Sequence, residues 1–301
     1  MKKHIRYISR FVAILLLMLY ALQYTIDYCY KKRATNKYAQ VLNHKLDPDM
    51  MIFGPSTALK HFDPAIIKKI TGLSSWNMGY DGMFFLQYNA LIREYLEYEK
   101  NCKYIVIGCN PFLGKDWIIM RPDFFYAYLD RKNVFNALVQ IEHNKIFHAR
   151  YLPGYKLTLL NKSFYWEMIH ASGKPDPQCG YEPVTDSGHN FNNITTPFNE
   201  ECDEQVFNTL QSTIAAITQK GIKVILVMPP IYERGYKLIS NIRFIISKYR
   251  SLEAENVFFL DYTKDSMCKN ASYFNNNMHL NITGATLFSY TFAHDLGTIK
   301  K

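Results

Sequence analysis

The six cysteines, Cys29, Cys102, Cys109, Cys179, Cys202 and Cys268, include no CxxC pair and no other spacing that suits a metal ion. Neither a metal nor any other cofactor is expected. The 14 glycines form no phosphate-cradling loop, which leaves a nucleotide-binding α/β domain without support. No internal repeat and no low-complexity tract is present. Positive charge is also scarce outside one end. The net charge is +9, but residues 1–33 hold seven basic residues against Asp27 alone, and the remainder has 28 basic against 25 acidic residues. No basic face is left for nucleic acid, so no nucleic-acid partner is expected.

What is present begins with the apolar run Phe11–Ile26, flanked by Lys2, Lys3, Arg6 and Arg10 before it and by Lys31, Lys32 and Arg33 after it. Such a run approaches the roughly 20 residues needed to cross a bilayer, and flanking Arg and Tyr can snorkel. A cleaved signal peptide needs small residues at the cleavage site, whereas Tyr24, Ile26, Tyr28 and Tyr30 stand there. The residues before Cys29 do not suit a lipoprotein acceptor. An uncleaved signal anchor over residues 1–33 is therefore expected, with a single pass, the N-terminus cytoplasmic and the domain extracytoplasmic. Cys179 and Cys202 bracket a polar stretch and could pair in an oxidising compartment. Aromatic residues make up 15% of the chain, which suits either a sugar-facing cleft or a core rich in tyrosine.

Beyond a polar juxtamembrane linker at 34–47, strands alternate with helices. Short apolar strands are expected at Met50–Phe53, Ser74–Met78, Tyr104–Cys109, Val224–Met228 and Val257–Asp261. Helices are expected at Ala65–Ile70, opened by Asp63-Pro64, and at Phe84–Tyr98, Val206–Gln219, Ser240–Tyr249 and Ile282–Leu296. Five such strands imply an α/β fold with a doubly wound, flavodoxin-like parallel sheet over residues 48–301. Residues 113–200 break the alternation and read as an insertion with one helix near Val134–Glu142, acting as a lid or binding loop. In such sheets ligands bind beyond the carboxyl ends of the strands, and Ser56, Asn77, Gly79 and Asn110 all fall there.

These residues carry a resemblance. Gly54-Pro55-Ser56, Asn77-Met78-Gly79, Gly108-Cys109-Asn110 and Asn276-Asn277-Met278-His279 resemble, in order, the four blocks of the SGNH/GDSL hydrolases. The similarity is greatest to membrane-anchored extracytoplasmic members that handle acyl groups on cell-envelope polymers. It implies an SGNH-like three-layer sandwich with Ser56 as nucleophile and His279 as its general base. The oxyanion hole would be the Ser56 and Gly79 backbone N–H groups with the Asn110 amide. The implied partners are an acylated glycan or envelope polymer, the membrane, and a membrane acyl-donor protein.

The sequence departs from that pattern at two places. Pro55 stands where the family has Asp or Ser, which stiffens the turn beside Ser56. Asn276 stands where the triad carboxylate belongs. In a serine protease that change costs about 10⁴ in rate, largely through the wrong histidine tautomer. It works only if the amide oxygen, not the NH₂, faces the ring, unless Asp261, Asp265 or Asn275 substitutes in space or, as the resemblance also allows, a Ser-His dyad runs with a backbone carbonyl as the acceptor. Two functions follow as expectations. One is an esterase or O-acyltransferase working through an acyl-Ser56 intermediate. The other is a catalytically degenerate module that binds glycan or scaffolds an envelope assembly.

Overall fold

Apolar runs of four to six residues bounded by polar turns become four of the five strands here, and amphipathic stretches with capping residues become helices. In the computed structural model, which describes residues 2–171, 176, 178–185, 191 and 196–299, the chain opens with α1 (Lys2–Arg33) and α2 (Lys37–Leu42). Next come β1 (Met50–Phe53), α3 (Ser56–His61), α4 (Pro64–Thr71), β2 (Ser75–Asn77), α5 (Phe85–Tyr95) and β3 (Tyr104–Gly108). Then follow α6 (Lys132–Ile141), α7 (His143–Tyr151) and α8 (Lys162–His170). The last part holds α9 (Glu204–Thr218), β4 (Lys223–Met228), α10 (Glu233–Leu238), α11 (Ile242–Arg250), β5 (Val257–Asp261) and α12 (Ile282–Ile299). The chain divides into two compact units, one of residues 46–116 and 176–301, the other of residues 1–45 and 117–175.

The first unit is the sheet unit. Its five strands are all parallel, in the order β2-β1-β3-β4-β5. This is the doubly wound α/β arrangement expected from the sequence. The central strands β1 and β3 are buried at every position, as a sheet covered on both faces requires. Helices α3 and α4 pack with α12, while α5 packs with α9, giving the three-layer sandwich. One core cluster contains Phe62, Phe288 and Phe292 in edge-on contacts, with Tyr262 against Phe288. Local chemistry sets the helix ends. Asp63 accepts from the Ala65 and Ile66 N–H groups ahead of Pro64, and Gly72 closes α4 with φ 74°. Asp203 caps α9 in the same way.

Cys179 and Cys202 are free thiols at separate places in this unit. The Cys179 carbonyl accepts from the Asn77 N–H beside β2, whereas Cys202 pairs with Leu113.

The second unit is built on α1, a helix long and apolar enough to cross a membrane. Its side chains are exposed through Met18, and the buried ones are Gln23 and Tyr30. Tyr30 stacks on Phe164 with centroids 4.2 Å apart and meets Tyr128 edge-on. Buried Lys156 pairs with Asp27, and the Gly154 N–H donates to Gln23. The 34–47 stretch, polar in sequence, contributes buried Tyr38, Val41 and Leu42 through α2. Of the aromatic residues in the insertion, Tyr126 and Tyr128 are buried, but Trp117 and Trp166 are exposed.

In the sheet unit, buried Asn77 ties the end of β2 to α3. Its Nδ2 donates to the Ala58 and Phe62 carbonyls at 2.8 and 2.9 Å, and its Oδ1 accepts from the Gly79 N–H at 2.9 Å. Replacing it with alanine strands these groups out of water. An Asn77→Ala chain is expected to lose about 2–4 kcal/mol of stability. Thermal unfolding of the full-length protein should show its Tm lower by roughly 5–15 °C.

Candidate functional site

The site starts where β1 runs out. Gly54 has φ 153°, and a Cβ there would come within 2.8 Å of the Ala58 Cβ, so only glycine fits the close approach of α3. Pro55 is the N-cap of α3, and its carbonyl accepts from the Ala58 and Leu59 N–H groups. Its missing N–H therefore leaves no gap in the cap. Ser56 follows as the first helical residue. Among the described residues, the Ser56 and Thr57 N–H groups meet no acceptor, as expected in the first turn of a helix. Phe53 pairs with Ile107, so Asn110 follows β3 at the same edge of the sheet at which Ser56 follows β1.

His279 is held by its own loop. Phe274 and Leu280 form an antiparallel bridge, and the Asn275 N–H donates to the His279 carbonyl at 2.8 Å. Asn281 then caps α12 by accepting from the Gly284 N–H. This brings His279 Nε2 to 2.7 Å from Ser56 Oγ, across 223 residues of sequence. Asn276 lies on the other side of the ring, with its Nδ2 3.1 Å from His279 Nδ1.

The orientation of Asn276 decides the chemistry. Its Oδ1 accepts from the Met278 N–H at 2.9 Å and the His279 N–H at 2.8 Å. Two backbone donors therefore fix which end is oxygen, and the NH₂ must face the ring. An amide NH₂ only donates, so Nδ1 must accept and the single proton of the neutral imidazole sits on Nε2. That proton points at Ser56 Oγ. A triad needs the reverse, with Nδ1–H donated to a carboxylate and a bare Nε2 facing the serine. Asp261 and Asp265 do not substitute. Asp261 accepts from the Thr263 N–H and hydroxyl, and Asp265 caps Met267. Asn275 meets His279 through the backbone, its N–H on the His279 carbonyl.

Electrostatics reinforce the neutral ring. Burial, then the Lys60 charge, push the His279 pKa down from 6.5 to about 4, with Asp81 opposing. Asp81 is itself engaged by Lys60 at 3.1 Å. A second histidine lies close by and went unnoticed in the sequence. His61 is fully buried, its ring centroid is 6.3 Å from that of His279, and its Nε2 accepts the Leu280 N–H at 3.0 Å. It supports the loop that carries His279. Burial holds its pKa well below the ordinary value. Only its place in an apolar stretch after Ser56 could have signalled it, and such a histidine looks the same as any core residue.

The expected oxyanion donors are placed unequally. The Gly79 N–H is already donated to Asn77 Oδ1. Gly79 is needed for contact, since a Cβ there would lie 2.3 Å from the Leu59 nitrogen. The Asn110 Oδ1 accepts from the Phe112 N–H at 3.1 Å, which leaves its NH₂ end for a ligand. Ser56 and Thr57 add two N–H groups. Thr57 is a donor that the sequence reading did not single out.

No family model and no curated protein matches the chain. Solved structures do match. One is a Streptococcus pneumonia protein provisionally assigned as a platelet activating factor, at 13% identity and a TM-score of 0.45, covering 96% of this chain and 99% of that one. Another is a provisionally assigned acylhydrolase from Bacteroides fragilis, at 14% identity and a TM-score of 0.44, covering 88% and 96%.

Buried neutral histidines make stability depend on acid. Below about pH 6.5 the unfolded chain takes up protons that His279 and His61 refuse in the folded state. The unfolded state then binds more protons, so stability falls as pH drops from about 6.5 toward about 4. His279 alone contributes a slope of up to about 1.4 kcal/mol per pH unit. Urea unfolding across this range should show a shallower slope for His279→Gln than for the wild-type chain; equal slopes would contradict the neutral buried ring.

Proposed function

We propose that the sheet unit is an SGNH-like module that binds acylated envelope glycan at the Ser56–His279 pair and does not turn the ester over as a Ser-His-Asp enzyme would. One observation carries this reading: the Asn276 NH₂, not its oxygen, lies against His279 Nδ1. With the proton on Nε2, Ser56 Oγ is an acceptor of the imidazole and keeps its own hydrogen. That hydroxyl, the Ser56 and Thr57 N–H groups and the Asn110 NH₂, all at one edge of the sheet, would offer neutral donors suited to an ester carbonyl or a sugar oxygen. Donors of this kind hold a ground-state acyl group as well as a tetrahedral one. Without a base to take the serine proton, they favour binding over reaction.

The envelope setting rests on three things: the apolar α1, the basic residues ahead of it, and the resemblance of the four blocks to anchored extracytoplasmic proteins. The N-terminal cluster would stay in the cytoplasm and the sheet unit would lie outside.

The contact of 2.7 Å between Ser56 and His279 favours a second reading, an esterase or O-acyltransferase. In that reaction His279 takes the Ser56 proton, Oγ attacks the acyl carbonyl, and the proton passes to the departing alcohol. Water or a sugar hydroxyl then releases the acyl group from Ser56. A membrane protein would supply the acyl donor for transfer. The step requires Asn276 to turn over, abandoning its bonds to Met278 and His279 at about 1–3 kcal/mol each. That cost is comparable with the 10⁴ loss seen when a protease triad carboxylate becomes an amide.

Fluorophosphonate labelling and p-nitrophenyl acetate turnover of the full-length protein separate the two readings. The wild-type chain should match Ser56→Ala within about threefold. Asn276→Asp retains an oxygen for Met278 and His279 and offers a second to Nδ1–H. It should therefore gain Ser56-dependent turnover of about 10³–10⁴-fold. Rapid Ser56-dependent reaction of the wild-type chain would establish the enzyme instead.

A further inference from the structure

A cavity of about 500 Å³ lies in the unit built on α1, well away in sequence from the Ser56 blocks. One wall is a ladder on α1, Tyr20, Tyr24 and Tyr28, four residues apart and so on one face of the helix. The opposite wall comes from the insertion, with Arg150, Tyr151 and Lys156. Its charges are unequal. Lys156 is paired with Asp27, and Lys31 is paired with Asp130 at 2.7 Å. Arg150 has no carboxylate partner among the described residues. Its guanidinium is instead stacked over Phe135 at 4.2 Å and Tyr151 at 5.2 Å, which orders a planar cation whose donors remain free.

The cavity also has a defined depth along the apolar helix. Tyr20 and Tyr24 lie in the later part of the apolar run Phe11–Ile26, and Lys31 lies beyond it. The insertion reaches to the same level, because Gly154 sits against Leu19, 3.2 Å from where a Cβ would be. Just before it, Tyr151 and Leu152 are 56% and 48% exposed. A cavity that combines a wall of tyrosines with one surplus cation matches an amphiphile.

We propose that this cavity binds the phosphate-bearing headgroup of an anionic membrane lipid, with Arg150 holding the phosphate and the tyrosine ladder lining the start of the acyl chains. The proposal rests on the reading that α1 spans the bilayer. A fork of guanidinium donors suits a phosphate bidentately. The single unbalanced positive charge favours a net-anionic headgroup over a zwitterionic one.

The test uses the full-length protein in a neutral detergent, with native mass spectrometry of bound phosphatidylglycerol and phosphatidylcholine. Wild-type protein should retain one phosphatidylglycerol with at least tenfold preference. Arg150→Gln should lose most of it, and Arg150→Lys should keep part, all three at similar Tm. Equal retention of both lipids by the wild-type chain, or an undiminished preference in Arg150→Gln, would overturn the proposal. Displacement of the lipid by inorganic phosphate at matching concentration would make it a site for a soluble anion and overturn the lipid assignment. Alkaline carbonate extraction of membranes tests the anchor separately. A chain that remains in the pellet without lipid preference loses this proposal alone. A chain that is extracted loses the spanning reading, and the lipid assignment falls with it.

Discussion

The two hydrogen bonds that Met278 and His279 donate to the Asn276 side-chain oxygen govern the site. They are local bonds, made within four residues, yet their effect reaches Ser56 on the far side of the imidazole. A carboxylate at this position could accept from both N–H groups with one oxygen and from Nδ1–H with the other. A carboxamide has only one oxygen. Once the loop claims it, the NH₂ is turned to the ring and the tautomer follows. The low proton affinity of His279 acts in the same direction, since burial and Lys60 both disfavour the imidazolium that general-base catalysis must form.

The rest of the sheet unit delivers these groups. Parallel strands end at one edge, so residues shortly past β1, β2 and β3 converge although they are far apart in sequence. Gly54 lets α3 approach the sheet, and Asn77 anchors the α3 carbonyls. His61, near the end of the same short helix, supports Leu280 and hence the loop of His279. Ser56 and His279 are thus positioned by one another's supports. A serine–histidine contact needs no carboxylate in such a frame, because little of the geometry depends on one.

Much of this was legible in the sequence, for definite reasons. Four of the strands are short apolar runs with polar stops and β2 is the short Ser-Trp-Asn stretch between two helices; all five were found, with edges moved by a residue or two. Ser56, Asn110 and His279 could be placed because each follows a strand or precedes the last helix. The direction of the Asn276 amide could not be read, since it depends on where two backbone N–H groups point. Nor could the use of the Gly79 N–H, which Asn77 takes. The helices α7 and α8 were missed where aromatic, basic and polar residues mix without a clear period. The joining of residues 1–45 with 117–175 depends on pairs such as Tyr30 with Phe164, and separations of that size leave no mark in local patterning.

The claim at the centre is the position of one proton. Nitrogen-15 NMR of the full-length protein with labelled histidine, with His279 assigned by comparison with a His279→Gln sample, reads it directly at neutral pH. The account predicts a proton on Nε2 and a bare Nδ1. A proton on Nδ1 with a bare Nε2 facing Ser56 would contradict it.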